Sequence, residues 1–139
     1  MDLDAALKFA REHRQGVLIT LRADGRPQSS NIIYTVADDG TLKVSITDDR
    51  AKTKNMRRDP RCTMHINAAD FWSYVVLDGE AELTPVTTDP HDATADALVE
   101  VYRAVAGEHP DWEEYRAAMV TDRRVVLTLR PQSAYGMVR

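Results

Sequence analysis

Cysteine is almost absent: Cys62 is the only one in 139 residues, which excludes an internal disulfide and any multi-cysteine zinc site. Glycine is scarce and scattered. Its six positions (Gly16, Gly25, Gly40, Gly79, Gly107, Gly136) lie too far apart to write either a dinucleotide-binding G-x-G-x-x-G or a P-loop. The four histidines, His13, His65, His91 and His109, form no H-E-x-x-H and no Cys/His spacing, so no metal site is expected; His65, Asn67 and Asp70 read as a polar strand face and loop. Apolar runs are a few residues long, as in Val75-Val76-Leu77, far below the roughly 18 that cross a bilayer, so no membrane span is expected. The acidic start Met1-Asp2-Leu3-Asp4 has no basic region or apolar core of a secretory signal, and a cytoplasmic location is expected. Aromatics amount to 6% and the net charge is -4, which disfavours nucleic-acid binding, since such domains are basic and stack bases on aromatic rings.

What is present is a small globular chain with 43% hydrophobic and 29% charged residues, enough for a single domain over residues 1–139. A short amphipathic helix is predicted from Asp4 to Arg14. Strands follow at Val17–Leu21, Gln28–Val36 and Leu42–Thr47, separated by the turn signals Ala23-Asp24-Gly25 and Asp38-Asp39-Gly40. Asp48–Arg58 reads as a helix stopped by Asp59-Pro60, and Arg61–Asn67 as a strand. Trp72–Leu77 and Glu80–Thr84 flank Asp78-Gly79 as a hairpin. Asp89–Ala106 and Pro110–Met119 are helical, with Pro110 at a tolerated first position, and Arg124–Leu129 and Ala134–Val138 close the chain as strands. Six or seven short antiparallel strands with flanking helices predict a mainly β fold, a closed or nearly closed barrel. Ile32 beside Ile33, and Val75 beside Val76, put apolar side chains on both faces of two strands; one face fills the barrel and the other asks for a partner, so a homodimer is expected.

Charge is unevenly spread. Six of the 18 basic residues (Arg50, Lys52, Lys54, Arg57, Arg58, Arg61) fall within Arg50–Arg61, where Asp59 is the only acid; between Asp89 and Glu114 eight acids face Arg103 alone. The basic run begins where the strand ending Ser45-Ile46-Thr47 gives way to a helix. Free backbone N–H groups, hydroxyls and cations converge there, which is the chemistry of a phosphate cradle built without glycine.

The segments Gly16-Val17-Leu18-Ile19-Thr20-Leu21-Arg22-Ala23-Asp24-Gly25-Arg26-Pro27-Gln28, Ser30-Asn31 and Arg50-Ala51-Lys52-Thr53-Lys54-Asn55-Met56-Arg57-Arg58-Asp59-Pro60-Arg61 resemble the pyridoxamine 5'-phosphate oxidase-like split β-barrel superfamily. More narrowly they are similar to its actinobacterial flavin/deazaflavin oxidoreductase B branch, as are Trp72-Ser73-Tyr74 and the stretches around Tyr102–His109 and Asp122–Val125. The resemblance implies a homodimer with a flavin-type cofactor in each inter-subunit groove, and in this branch often the deazaflavin coenzyme F420 in place of FMN. It implies that Arg50 and Lys52, with Ser45, Ile46 and Thr47, hold the cofactor phosphate, assisted by Lys54, Asn55 and Arg58. Gln28, Ser30 and Asn31 would pass the cofactor ring, and Trp72 and Tyr74 would approach from the partner subunit. Six cations exceed what one phosphate needs and suit the oligoglutamate tail of the deazaflavin, which ranks it above FMN. The expected reaction is hydride transfer to an electron-poor small molecule, with Tyr34, Tyr74 and Ser30 the only proton-donor candidates. An FMN-dependent enzyme and a non-catalytic cofactor carrier are the alternatives. The ending Ala134–Arg139 lacks the arginine-histidine pair with which genuine pyridoxamine phosphate oxidases hold their substrate, so vitamin B6 oxidation is not expected.

Overall fold

The computed structural model describes residues 1–139. Helix α1 (Leu3–Arg11) is capped by Asp2, whose carboxylate accepts from Asp4 N, and lays Ala6, Leu7, Phe9 and Ala10 into the core. Strands β1 (Gln15–Leu21), β2 (Pro27–Ile33), β3 (Thr35–Val36) and β4 (Leu42–Thr47) follow, then α2 (Ala51–Arg58) and β5 (Arg61–Asn67). The chain continues through β6 (Tyr74–Leu83), α3 (Ala93–Ala106) and α4 (Trp112–Thr121) to β7 (Arg124–Met137). All seven strands pair antiparallel in one curled sheet of order β2-β1-β5-β6-β7-β4-β3. The edge strand β2 approaches β4, next to the short edge strand β3, without pairing, which leaves the seam of a split barrel. The expected mainly β architecture with flanking helices is therefore present.

Alternation along the strands sorts side chains between the two faces. Leu18, Met64, Ile66, Val75, Leu77, Val44, Ile46, Val125 and Leu127 point inward and, with α1, form a core cluster of 19 buried residues. A second cluster, on the outer face of β7, packs Val126 beneath Leu98, Val99 and Val101 of α3 and Tyr115 and Met119 of α4. Helix α3 lies against β3, β4 and β7, and so stands beside the seam. No helix is long and apolar enough to cross a membrane.

Several boundaries differ from the expectation, each for a local reason. Asp78-Gly79 is no hairpin: β6 runs through it, with a bulge between Asp78 and Gly79 opposite Pro131 of β7. Gly79 is required by close approach, since a Cβ there would lie 2.2 Å from Arg130 O. The two expected C-terminal strands are likewise one, because Arg130, Pro131 and Ser133 stay paired with β6 and only Gln132 is skipped at the bulge. The predicted Gln28–Val36 strand breaks at fully buried Tyr34, whose N–H donates to Arg14 O (2.9 Å) and whose hydroxyl donates to Ala10 O (2.7 Å). Helices α2 and α3 start later than predicted, α1 ends earlier, and Pro110 precedes the capping Asp111 of α4. Val76 is already covered within the single chain at 2% exposure, whereas Ile33 is 54% exposed, so of the two outward apolar side chains only Ile33 leaves apolar surface open.

Candidate functional site

A cleft of about 1410 Å³ opens along the seam. One end is built where β4 stops, α2 begins and β7 begins. The pairing of β4 with β7 sets Thr47 opposite Arg124 and Ser45 opposite Val126, and Arg124 Nη1 reaches Ser45 O and Oγ at 3.4 Å. Thr53, fully buried in the first turn of α2, donates its hydroxyl to Thr47 O (2.7 Å) and so pins the helix start to the strand end. Asp48 fastens the same junction: it pairs with Arg57 of α2 and with Arg123 Nη2 (3.2 Å), while its N–H donates to Arg123 O (2.9 Å). Those guanidiniums hold its carboxyl below the usual range.

Ser45, Ile46, Thr47, Arg50, Lys52 and Arg124 all line this end. Arg50 and Lys52 have no ion-pair partner, and the nearest carboxylate to Arg124, on Asp122, is 3.6 Å from Nε. Burial lowers the Lys52 ammonium below the ordinary lysine range, and Arg50 and Arg124 push it the same way. Two buried polar atoms here lack a hydrogen bond, Thr47 Oγ1 and Arg124 Nε. Arg50, at the N-cap of α2, offers no side-chain cap, so the first N–H groups of the helix remain free donors. Three mutually repelling cations, orphaned donors and a helix N-terminus fit a bound phosphate, which would satisfy them together.

The rest of the cleft differs in character. Val101, Tyr102 and Val105 of α3 and Tyr115 and Met119 of α4 make an apolar wall, and His65 and Asn67 of β5, hydrogen-bonded at 3.2 Å, lie on the sheet side with Asn31 of β2. The lining contains no aspartate or glutamate.

Not every residue singled out in the sequence reaches this cleft. Asn31, Ser45, Ile46, Thr47, Arg50 and Lys52 do. Gln28, Ser30, Asn55 and Arg58 instead belong to a polar network that docks α2 on β1 and β2. Asn55 Nδ2 donates to Thr20 Oγ1 (3.2 Å), Thr20 donates to Gln28 Oε1 (3.2 Å), and Gln28 Nε2 donates to Ser30 Oγ (3.2 Å). Arg58 Nη2 closes it on Leu21 O (2.8 Å) and Asn55 Oδ1 (3.0 Å). Trp72 is 67% exposed and lies outside the cleft of its own chain, as does Tyr74, which stacks on His65 with ring centroids 5.3 Å apart. Arg57 and Arg61 are paired with Asp48 and Asp59, so of the six clustered cations Arg50, Lys52, Lys54 and Arg58 have no carboxylate partner, and of these only Arg50 and Lys52 line the cleft. Tyr34 is lost as a proton donor because it is buried, its phenol pushed up by that burial and its hydroxyl spent on Ala10 O. Sequence reasoning missed Arg124 and the α3–α4 wall. Arg124 faces Ser45 across 79 positions of chain, and no local pattern announces that contact.

The pyridoxamine 5'-phosphate oxidase family model matches residues 3–137. The chain belongs to that family. Among solved structures, a conserved hypothetical protein from Mycobacterium tuberculosis superposes with a TM-score of 0.75 at 22% identity, covering 98% of this chain and 84% of the other. A structure described as an F420 reductase gives 0.65 at 24% identity, covering 88% and 89%. An FAD-binding protein from Mesorhizobium loti gives 0.68 at 19%, covering 98% and 92%. At these identities the likeness establishes the split-barrel fold of the family member.

The polar network under α2 is structural. Asn55→Ala leaves the buried Thr20 hydroxyl without its donor and is expected to cost about 1–3 kcal/mol of stability in urea unfolding. Lys52→Ala, less than one turn earlier on α2 but facing the cleft rather than the network, is expected to cost none; equal losses would contradict this division of roles.

Proposed function

We propose that the protein is a cofactor-dependent oxidoreductase whose cleft binds the deazaflavin coenzyme F420 and reduces an electron-poor small molecule. The observation that carries this reading is the cradle: Arg50 and Lys52, without ion-pair partners, gathered beside Arg124 around Thr47 Oγ1 and Arg124 Nε, neither of which has a hydrogen bond. Family membership and the fold shared with an F420 reductase support it. When bound, such a group in its reduced form supplies a hydride to the substrate. The chain's own residues do the rest. Arg50, Lys52, Arg124 and the start of α2 hold the phosphate end, while the wall of Val101, Tyr102, Val105 and Met119 excludes water from the apolar body of the cofactor and acceptor. The acceptor's proton comes from solvent or from a cleft residue, since the Tyr34 hydroxyl is donated to Ala10 O and Ser30 does not line the cleft.

FMN is the second reading. It is favoured by the commitment of Arg57, Arg58 and Arg61 to internal partners, which leaves a compact cradle of one phosphate's size rather than a track for a polyanionic tail. In a titration followed by cofactor fluorescence at fixed ionic strength, Arg50→Ala, Lys52→Ala and Arg124→Ala are each expected to weaken coenzyme binding by about 10- to 150-fold, the worth of a charge-assisted bond in a partly desolvated site. Lys54→Ala is expected to cost less than about 1 kcal/mol. A flat response across the four variants would remove the cradle, and tighter binding of FMN than of the deazaflavin by tenfold would select the second reading.

The proposed working unit is a homodimer. Phe71, Trp72, Tyr135, Met137 and Val138 leave a large apolar patch around the end of β7, each between 49% and 72% exposed. Arg139 lies over the Trp72 ring at 6.0 Å. A second copy seated there would bring Trp72 and Tyr74 toward the cleft. Sedimentation at micromolar concentration is expected to give a dimer that Trp72→Glu disrupts; a wild-type monomer would overturn it.

A further inference from the structure

The cleft has a second cationic pole, distinct from the cradle. It is formed where α1 hands over to β1, by His13, Arg14 and Gln15, together with Asn31 across the strand pair. Arg14 is exposed and has neither a hydrogen-bond nor an ion-pair partner for its guanidinium. His13 is held by stacking on Phe9 (ring centroids 4.4 Å apart) and by a bond of 2.9 Å between Nδ1 and Phe9 O. A carbonyl only accepts, so Nδ1 carries a proton; in the neutral ring Nε2 is then an acceptor, and the donors a carboxylate needs come from Arg14, Gln15 and Asn31. Asn31 and Gln15 are exposed, and their side-chain amides make no hydrogen bond within the chain.

Two features make this more than a solvated surface. The chain holds 22 acids, so a lining of 25 residues would carry about four by composition alone, yet the cleft has none while it holds Arg14, Arg50, Lys52 and Arg124. The two poles are also set apart by the sheet. Tyr34 N bonds Arg14 O beside β3, which pairs with the start of β4, whereas the cradle sits at the end of β4. At ~3.4 Å per residue that separation is on the order of 14 Å. A single phosphate in the cradle cannot reach the second pole. Between them runs the apolar wall of α3, which lies against both β3 and β4.

We propose that the His13–Arg14 pole recognises the carboxylate of the substrate, so that the acceptor is a conjugated, largely apolar carboxylic acid anion whose body lies along the α3 wall. This rests on the reading of the cleft as a cofactor site, and deepens it by naming the class of the second ligand. Arg14 supplies the charge, the amides of Gln15 and Asn31 supply further donors, and charge-assisted bonds to a carboxylate select against a neutral analogue of the same shape.

The probe is trans-cinnamate, compared with its neutral isostere cinnamamide. Both are titrated into the purified protein, with and without bound coenzyme, while the Nε–Hε resonance of Arg14, assigned by its loss in Arg14→Gln, is followed by NMR. The expected result is that cinnamate shifts this signal and binds at least tenfold more tightly than cinnamamide. Arg14→Gln is expected to shrink that preference to less than threefold and to change coenzyme affinity by less than twofold, whereas Lys52→Ala does the reverse. Equal binding of acid and amide overturns the proposal, and so does an Arg14→Gln variant that weakens the coenzyme as much as Lys52→Ala, which would assign the pole to the cofactor. If neither coenzyme nor FMN binds but the preference for the acid persists, the oxidoreductase reading fails while the carboxylate pole stands.

Discussion

Three cations held together with a single ion pair among them, Arg124 to Asp122, are the constraint on which the proposed cradle depends. Like charges 4 Å apart repel by about 1 kcal/mol in water and about 4 kcal/mol at a protein surface, so Arg50, Lys52 and Arg124 would disperse if the backbone allowed it. It does not allow it. Arg124 is fixed by the β4–β7 pairing, Lys52 and Arg50 by a helix whose first turn is bonded to Thr47 O, and the whole junction by Asp48 between Arg57 and Arg123. The fold thus supplies the work of assembling the charges, which in the proposed reading a bound anion would recover.

The acidic run from Asp89 to Glu114 complements this arrangement. Asp92 and Asp111 cap α3 and α4; Asp92 accepts from Ala95 N, Thr88 N, Asp89 N and the Thr87 hydroxyl, which outweigh its partial burial and hold its carboxyl at about 2. Glu100 and Glu108 pair with Arg103, Asp96 with Arg116, and Glu113 with His91. Arg103 in turn lies 4.9 Å over the Trp112 ring. Those acids are used in stabilising the helix pair, and its cleft side is left apolar. A chain of net charge -4 thereby keeps a cleft lined by cations and no acids.

Much of the fold was legible in the sequence because it is written locally. Alternation and β-branched runs located the strands, Asp38-Asp39-Gly40 and Ala23-Asp24-Gly25 located turns, and the Arg50–Arg61 run pointed to the cradle. What failed was non-local. Asp78-Gly79 carries a turn signal, but its glycine answers to Arg130 O in a strand some fifty residues away. Gln28, Ser30, Asn55 and Arg58 have the chemistry of ligand contacts, and only their hydrogen bonds to Thr20, Leu21 and one another show that they hold α2 in place. Arg124 entered the site through strand pairing, and His65 and Asn67 through the curl of the sheet.

The central claim, that the fold holds these cations together at a cost which an anion relieves, is tested most directly by thermal unfolding of the wild type and of Lys52→Met in chloride alone and with millimolar phosphate added at equal ionic strength. The account predicts that Lys52→Met melts higher than the wild type in chloride, that phosphate raises the wild-type Tm, and that the variant gains much less. A variant that melts lower in chloride, or a phosphate increment of the same size in both proteins, would contradict it.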